Sequence, residues 1–473
     1  MSFPSYPEYK KSNTDFIGQV PAHWKLERLK HCAEVFPSNV DKKSVDGQIP
    51  VKLCNYTDVY YNDTIGCELG FMLATATKEQ VKRFELQQGD VVFTKDSESA
   101  DDIGVAAYVS KRLPGVVYGY HLSIARANGA AIGEFLKLYF DSQETKSYFA
   151  VSANGLTRVG LGQYAVDNAP IALPSVEEQT QIARFLDHET AKIDALICEQ
   201  ERLIALLQEK RQGVISHAVT KGLDPSVPMK DSGVEWLGEV PEHWRVVQLR
   251  HLLQMIEQGR SPECESRAVV GEEWGVLRTS CVNGGIYRSA EHKALPAHIT
   301  PHSEYEVKEG DLLMSRASGS KDLIGAVAYV EKTPSRLLLS DKVFRLKLEQ
   351  GVHPQNFTLL MGSQNVRAQI ELAINGAEGL ANNITKESIK SFVVALPAYE
   401  EQQDIFKYLS LQSHKFSELS EQLLAALAVL KERRATLISA AVTGKIDVRN
   451  WQPPVHESAY DEDFRQAGME ATA

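Results

Sequence analysis

Two kinds of apolar patterning alternate along the chain. Short runs rich in β-branched and aromatic residues, separated by Gly, Asn and Asp, fall at 91–94, 105–109 and 122–125, and again at 312–315, 326–330 and 343–346. Runs of this length, closely spaced with turn residues between them, predict an antiparallel or mixed sheet and not a βαβ winding. Helix-period patches follow each group, at about 133–152 and 354–374. The predicted class is therefore α+β.

Past residue 175 the period changes. Apolar residues recur at Ile193, Leu196, Leu203, Leu207 and Val214, with Gln200 and Lys210 interrupting. A second series runs Phe416, Leu419, Leu423, Ala426, Leu430, Leu437 and Ala440, interrupted by Arg433. Alternating steps of three and four make an a/d seam on a long helix. Ser175, three residues before Glu178, has the spacing of a capping box, and Ala398 loses half of that device in the second series. Gly222 and Gly444 close the two helices. About 40 residues at 1.5 Å each give rods of roughly 60 Å. Each seam needs a cover, either its own domain or the other helix, and mutual packing accounts for both seams at once. Lys210 and Arg433 break the apolar stripe at matching places, serving register or an acidic partner.

The patterning repeats at an offset of about 220 residues. Phe16-Ile17-Gly18-Gln19-Val20-Pro21-Ala22-His23-Trp24 returns as Trp236-Leu237-Gly238-Glu239-Val240-Pro241-Glu242-His243-Trp244. Gly89-Asp90 matches Gly310-Asp311, Asn154-Gly155 matches Asn375-Gly376, and Ala218-Val219-Thr220 matches Ala441-Val442-Thr443. So long a unit is a domain with an appended helix, not a solenoid repeat. The stretch after Gly222, about 14 residues, reaches at most about 45 Å. That is too short to carry the second domain back along a parallel helix. The copies are therefore predicted to lie about a pseudo-twofold axis at opposite ends of an antiparallel coiled coil.

Composition narrows the class. The chain has 473 residues, 43% hydrophobic, with room for two or three domains. No apolar run is long enough to span a bilayer, and the N-terminus lacks the apolar stretch of a signal peptide, so a cytoplasmic protein without membrane contact is expected. The six cysteines show no CxxC and no spacing shared by the halves, which argues against a repeated metal site. Net charge is −11, yet residues 1–175 carry 18 basic and 20 acidic side chains and residues 232–397 carry the same numbers. Near-neutral domains of this kind can still present local basic faces to DNA.

The run Leu173-Pro174-x-x-Glu177-Glu178-Gln179-x-x-Ile182-Ala183-x-x-Leu186, repeated as Leu396-Pro397-x-x-Glu400-Glu401-Gln402-x-x-Ile405, resembles the specificity subunits of type I restriction–modification enzymes. Gly-x-Val-Pro-x-His-Trp before each half and Ala-Val-Thr near each helix end carry the same resemblance, which extends from about residue 15 to 450. Phe406-Lys407 departs from the Ala-Arg of the first copy without weakening it. The resemblance implies two target-recognition domains, each reading half of a split double-stranded DNA sequence. It also implies two methyltransferase subunits using S-adenosylmethionine, and restriction subunits using ATP and Mg, as partners; no cofactor or metal is expected in this chain. The expected boundaries are a first recognition domain at 1–174, its helix at 175–222, a linker at 223–235, a second domain at 236–397, its helix at 398–446 and a flexible tail at 447–473.

Catalytic signatures are missing. There is no Asn/Asp-Pro-Pro-aromatic motif for a flipped adenine and no GxxxxGK[ST] loop. Glu306-Val307-Lys308 has the E-x-K form of metal-dependent nucleases, but the aligned Glu85-Leu86-Gln87 lacks it. It leaves a self-contained metal-dependent endonuclease as the alternative reading. His23-Trp24 and His243-Trp244 have no recurring Ser or Cys partner and read as packing residues.

DNA contact requires Lys or Arg for phosphates and bidentate side chains for base edges, carried on loops after strands. Thr94-Lys95-Asp96-Ser97 and Ser315-Arg316-Ala317-Ser318, followed by Lys321, share a hydroxyl–base–x–Ser pattern suited to phosphate, or to a solvated turn. Asn154 with Arg158 and Gln163, and Asn375 with Asn383, mark an amide-rich loop suited to base readout or to a glycine turn. Lys52 pairs with Arg278 on aligned strands, and His121 with Lys342 at a matched strand start.

Overall fold

The computed structural model describes residues 3–374 and 382–454. It falls into two compact units, one formed by the chain up to Glu201 together with residues from Ala425 onward, the other by Arg202–Leu424.

In the first unit a five-stranded sheet has the order Ala33–Pro37, Leu122–Ala127, Asp90–Thr94, Ala106–Val109, Thr64–Ile65, antiparallel except for the last pair. A three-stranded mixed sheet of Val116–Tyr118, Ile49–Cys54 and Met72–Ala76 lies against it. The strand Asp90–Thr94 is buried along its whole length. Val91 and Phe93 join one cluster with Phe135, Phe140 and Phe149, while Val92 joins the other with Leu122 and Ile124. A central strand covered on both faces must be continuously apolar, which is why its run stands out in sequence.

The second unit repeats this plan with one strand fewer in its main sheet: Leu253–Gln258, Val343–Leu348, Leu312–Ser315 and Val327–Tyr329. Its three-stranded sheet is His292–Ala294, Gly275–Leu277 and Leu337–Leu338. Both helical patches are broken in the middle. Gly133–Asp141 gives way to Gln143–Ser152 at Ser142, whose backbone is extended and whose hydroxyl accepts from the Thr145 N–H; Pro354–Met361 gives way to Gln364–Ala373 beside Ser363. In the first unit the Ser142 side chain caps the restarted helix, whereas Ser363 takes the N-cap position without a side-chain bond.

The long helices are Val176–Lys221 and Tyr399–Val442. Within each unit the starting part of one packs antiparallel to the closing part of the other. In the first unit Asp194 meets Arg434 and Glu201 meets Lys431. In the second, Arg211 donates to Ser413, and Ala218 and Val219 share a core with Ile405 and Leu409.

The seam differs in phase from the sequence reading. Ile193 is buried as expected, but Leu196 and Leu203 are 52% and 39% exposed, and Lys210 is exposed. The half-buried positions are Ile197, Gln200, Ile204 and Leu207. On the second helix Phe416, Leu423 and Leu430 face inward with Ser420, Leu427 and Arg434, whereas Leu419 and Arg433 point out. Both helices carry apolar residues on two adjacent stripes, so steps of three-then-four and four-then-three fit equally well. Packing chose the second, and the cation in the seam is Arg434, not Arg433.

Two boundaries also move. The presumed linker contains the strand Met229–Asp231, paired with Glu239–Pro241. The presumed tail starts inside the first core: Val448 is buried, and Trp451 packs edge-on against Phe185. No helix among the described residues is long and apolar enough to cross a membrane.

Candidate nucleic-acid interface

Each unit orients its strand ends through the repeated motifs. Glu178 and Gln179 sit in the first turn of the long helix, and Ser175 accepts the Glu178 N–H as a cap. The carboxylate does not complete a capping box. It accepts instead from Trp24 Nε1 at 3.0 Å, His23 Nε2 at 3.0 Å and Tyr6 Oη at 2.6 Å. Burial and the bond to Glu178 push the Tyr6 phenol far above its ordinary pKa. Gln179 accepts the Ile132 N–H and donates to the carbonyls of Ala130 and Pro174.

The second unit repeats both devices. Glu401 binds His243 at 2.8 Å and Trp244 at 3.0 Å, and Gln402 binds His353 N–H, Gly351 O and Pro397 O. The other helix docks its end by a matching serine, with Ser439 accepting the Gln143 N–H and Ser216 the Gln364 N–H. Gly444, at φ +78°, sits so close to Pro21 that a Cβ would fall 2.2 Å from the proline ring. Thus Gly-x-Val-Pro-x-His-Trp, Leu-Pro-x-x-Glu-Glu-Gln and Ala-Val-Thr with the glycine after it are one assembly, and the His-Trp pairs are packing residues.

Against this common frame the strand-end loops differ. In the first unit Asp96–Ser97 pairs with Val159–Gly160, and the Lys95 N–H donates to His121 O. This register brings Arg158 and His121 to one carboxylate: Asp96 lies 2.7 Å from Arg158 Nη2 and 2.8 Å from His121 Nδ1. Lys95, half-exposed, and Asn154, exposed, border the group. The return loop needs Gly155 (φ +150°), where a Cβ would meet the Arg158 carbonyl at 1.9 Å.

Three candidates play other parts. Thr94 is fully buried, its hydroxyl accepting the Val105 N–H, and so cannot reach a phosphate. Ser97 is likewise buried and turns toward Tyr56 and the Ser99 N–H. Gln163 is exposed but its amide is engaged by Val35 O and Asp167. Lys52 stands exposed on the middle strand of the three-stranded sheet.

Residues that sequence reasoning missed complete the group. A cleft of about 320 Å³ beside His121 is lined by Lys42, Asn55, Tyr56 and Tyr120. Tyr56 stacks on Tyr60 at 5.5 Å, and desolvation, opposed by the Ser97 hydroxyl, raises its phenol pKa. The clue was available in Tyr56-x-x-x-Tyr60-Tyr61, an aromatic cluster on one short helix.

In the second unit Ala317–Ser318 pairs with Asn382–Asn383, and Arg316 donates its N–H to Lys342 O. The Arg316 guanidinium donates to Asp341 O and lies over the Phe344 ring. Lys342 is exposed, 3.7 Å from Asp341. Ser315 is fully buried, like its twin Thr94, and is removed from any phosphate. Ser318 caps its own turn by accepting the Ser320 N–H. Lys321 and Arg278 are exposed; Asn375 lies outside the described residues. Ser261, not foreseen, donates to Asp341, and Arg260 beside it in the chain lines a cleft with His302. Glu306, of the E-x-K triplet, accepts the N–H of Arg336, a residue held at φ +67°. That carboxylate therefore has a structural task.

Residues 28–203 and 241–428 match the family model described as the type I restriction modification DNA specificity domain. The chain is 25% identical over 454 residues to a putative type I restriction enzyme MjaX specificity subunit of Methanocaldococcus jannaschii, covering 95% of this chain and 99% of that one. It is 23% identical over 383 residues to the EcoKI specificity subunit of Escherichia coli, covering 80% and 79%. A chain from a solved structure described as the basis of "complex assembly and conformational transition of the type I R-M system" has the same fold, with TM-score 0.65, 16% identity, and 90% and 99% coverage.

Proposed function

From the premise that the chain belongs to the type I restriction–modification DNA specificity family, we propose that it reads a split, asymmetric duplex sequence, one half-site per unit. It does so without catalysing a reaction itself. In this role it positions two methyltransferase subunits, and with them restriction subunits, on the target. S-adenosylmethionine, ATP and Mg are the partners' requirements.

One observation carries the reading: the two units share the Glu–His–Trp and Gln anchors yet present different side chains at equivalent strand ends. Asp96, His121 and Arg158 stand in one, Arg316, Lys342 and Asn382–Asn383 in the other. Directional donors and acceptors on such loops are what base edges require. Two unlike sets predict two unlike half-sites.

The test is methylation by the assembled methyltransferase of a duplex library. Exchanging residues 236–397 for another recognition unit should change one half-site and preserve the other. Loss of both refutes modular reading. Cleavage of DNA by the purified chain with magnesium alone would restore the endonuclease alternative.

A further inference from the structure

The Asp96–Arg158 pair does not have the electrostatics of a phosphate contact. Phosphate contact rewards uncompensated cations, because its energy comes from neutralising backbone charge. Here a carboxylate sits 2.7 Å from the Arg158 guanidinium and cancels most of its charge. What remains is direction. The Asp96–Arg158 contact is an ion pair at one guanidinium nitrogen, and the side chain is 49% exposed, leaving its other N–H donors open to solvent.

The same carboxylate fixes His121 through Nδ1, and the ring packs on Tyr120 with centroids 3.9 Å apart. Nε2 is thereby aimed by two contacts. The strand pairing of Asp96–Ser97 with Val159–Gly160 holds the arrangement from the backbone side. In the second unit the position equivalent to Asp96 is Ala317, a residue without a carboxylate.

We propose that Asp96 is a positioning residue that presents Arg158 to a base edge in the major groove, a purine with paired acceptors such as guanine, with His121 reading the adjacent position. The inference rests on the half-site reading and names which residues set one half-site. A guanidinium that must offer donors to a base edge benefits from a counter-charge that holds its head group in one place. Asp96 supplies that hold at the expense of general DNA attraction.

The test uses the assembled methyltransferase and a duplex pool randomised across both half-sites, selecting bound sequences for the parent chain and for Arg158→Ala, Asp96→Asn and His121→Gln. Arg158→Ala should abolish preference at one base pair of one half-site, weakening the preferred target about ten- to hundredfold. The other half-site and the salt dependence should stay nearly unchanged. Asp96→Asn, close to isosteric, should flatten the same position less completely, and His121→Gln the neighbouring one.

Uniform weakening on all sequences with a shallower salt dependence would make Arg158 a phosphate contact and overturn the inference. So would uniformly tighter binding by Asp96→Asn, the result expected from deleting a bystander negative charge. Unchanged preferences in every variant would also overturn it, while leaving the half-site reading intact. If the parent assembly selects no split sequence, both fall.

Discussion

Glu178 and Glu401 occupy equivalent helix turns and hold equivalent His and Trp partners, yet their surroundings differ. Glu178 is 7% exposed and receives a third donor from Tyr6, whereas Glu401 is 32% exposed with two. Tyr6 is held under the Arg449 guanidinium, and the neighbouring Asp447 N–H donates to Pro4 O, so the N-terminal segment and the segment after Gly444 close over the first carboxylate together. A short repeated motif specified the bonds. Remote chain specified how dry they are, and with it how much each is worth.

The hardest blow to this comparison is removal of its shared indole. Trp24→Ala and Trp244→Ala each delete a fully buried side chain and should cost about 3–5 kcal/mol, about equally. Hydrogen exchange of the strand pairs Lys25–Arg28/Pro170–Leu173 and Arg245–Gln248/Val393–Leu396 reads each unit separately. A cost confined to one tryptophan breaks the equivalence.

Replacing the acids separates them. Glu178→Ala should destabilise its unit by about 3 kcal/mol, since three donors lose a buried charged acceptor, and Glu401→Ala by roughly half that. Equal losses would show that burial is immaterial at this turn. Tyr6→Phe isolates the extra donor and should cost about 1.5 kcal/mol in the first unit alone. Exchange in the second unit must not respond.

The smallest effect compares the seam cations. Arg434 binds both Asp194 and Asp63, while its twin Arg211 donates to Ser413. Desolvation opposes ionisation of Asp63, but Lys137 and then Arg434 outweigh it and hold the carboxyl below its ordinary range. Arg434→Ala should cost about 1 kcal/mol, an effect that shrinks in high salt, and Arg211→Ala under about 0.5. Because Asp63 is depressed in the folded state, its contribution is full at neutral pH and disappears as pH falls through its folded value. The acid limb of the first unit's stability should therefore flatten in Arg434→Ala; an unchanged limb would remove Asp63 from the account.

Much of the frame was legible in sequence. The strand runs stand out because residues 91–93 and 312–314 are buried and apolar throughout. The loops were less legible. Thr94 ends a buried strand and Lys95 follows it, and only Lys95 reaches solvent, since alternation sends one side chain inward. Asp96 carries no signal of its own, because an acid repels DNA phosphates unless a cation stands beside it. Its meaning depends on Arg158, 62 positions away, and His121, 25 away.

What the sequence determined by itself was periodicity and duplication: which segments are strands, where the long helices run, and that two units share one plan. Those properties are local, fixed by side-chain spacing and turn chemistry. Only the tertiary structure decided the seam's phase, the burial of Glu178 over Glu401, and the meeting of Asp96, His121 and Arg158. Each of these rests on contacts between residues distant in sequence, whose energies depend on distance, direction and exclusion of water. Spacing along a chain carries none of those three.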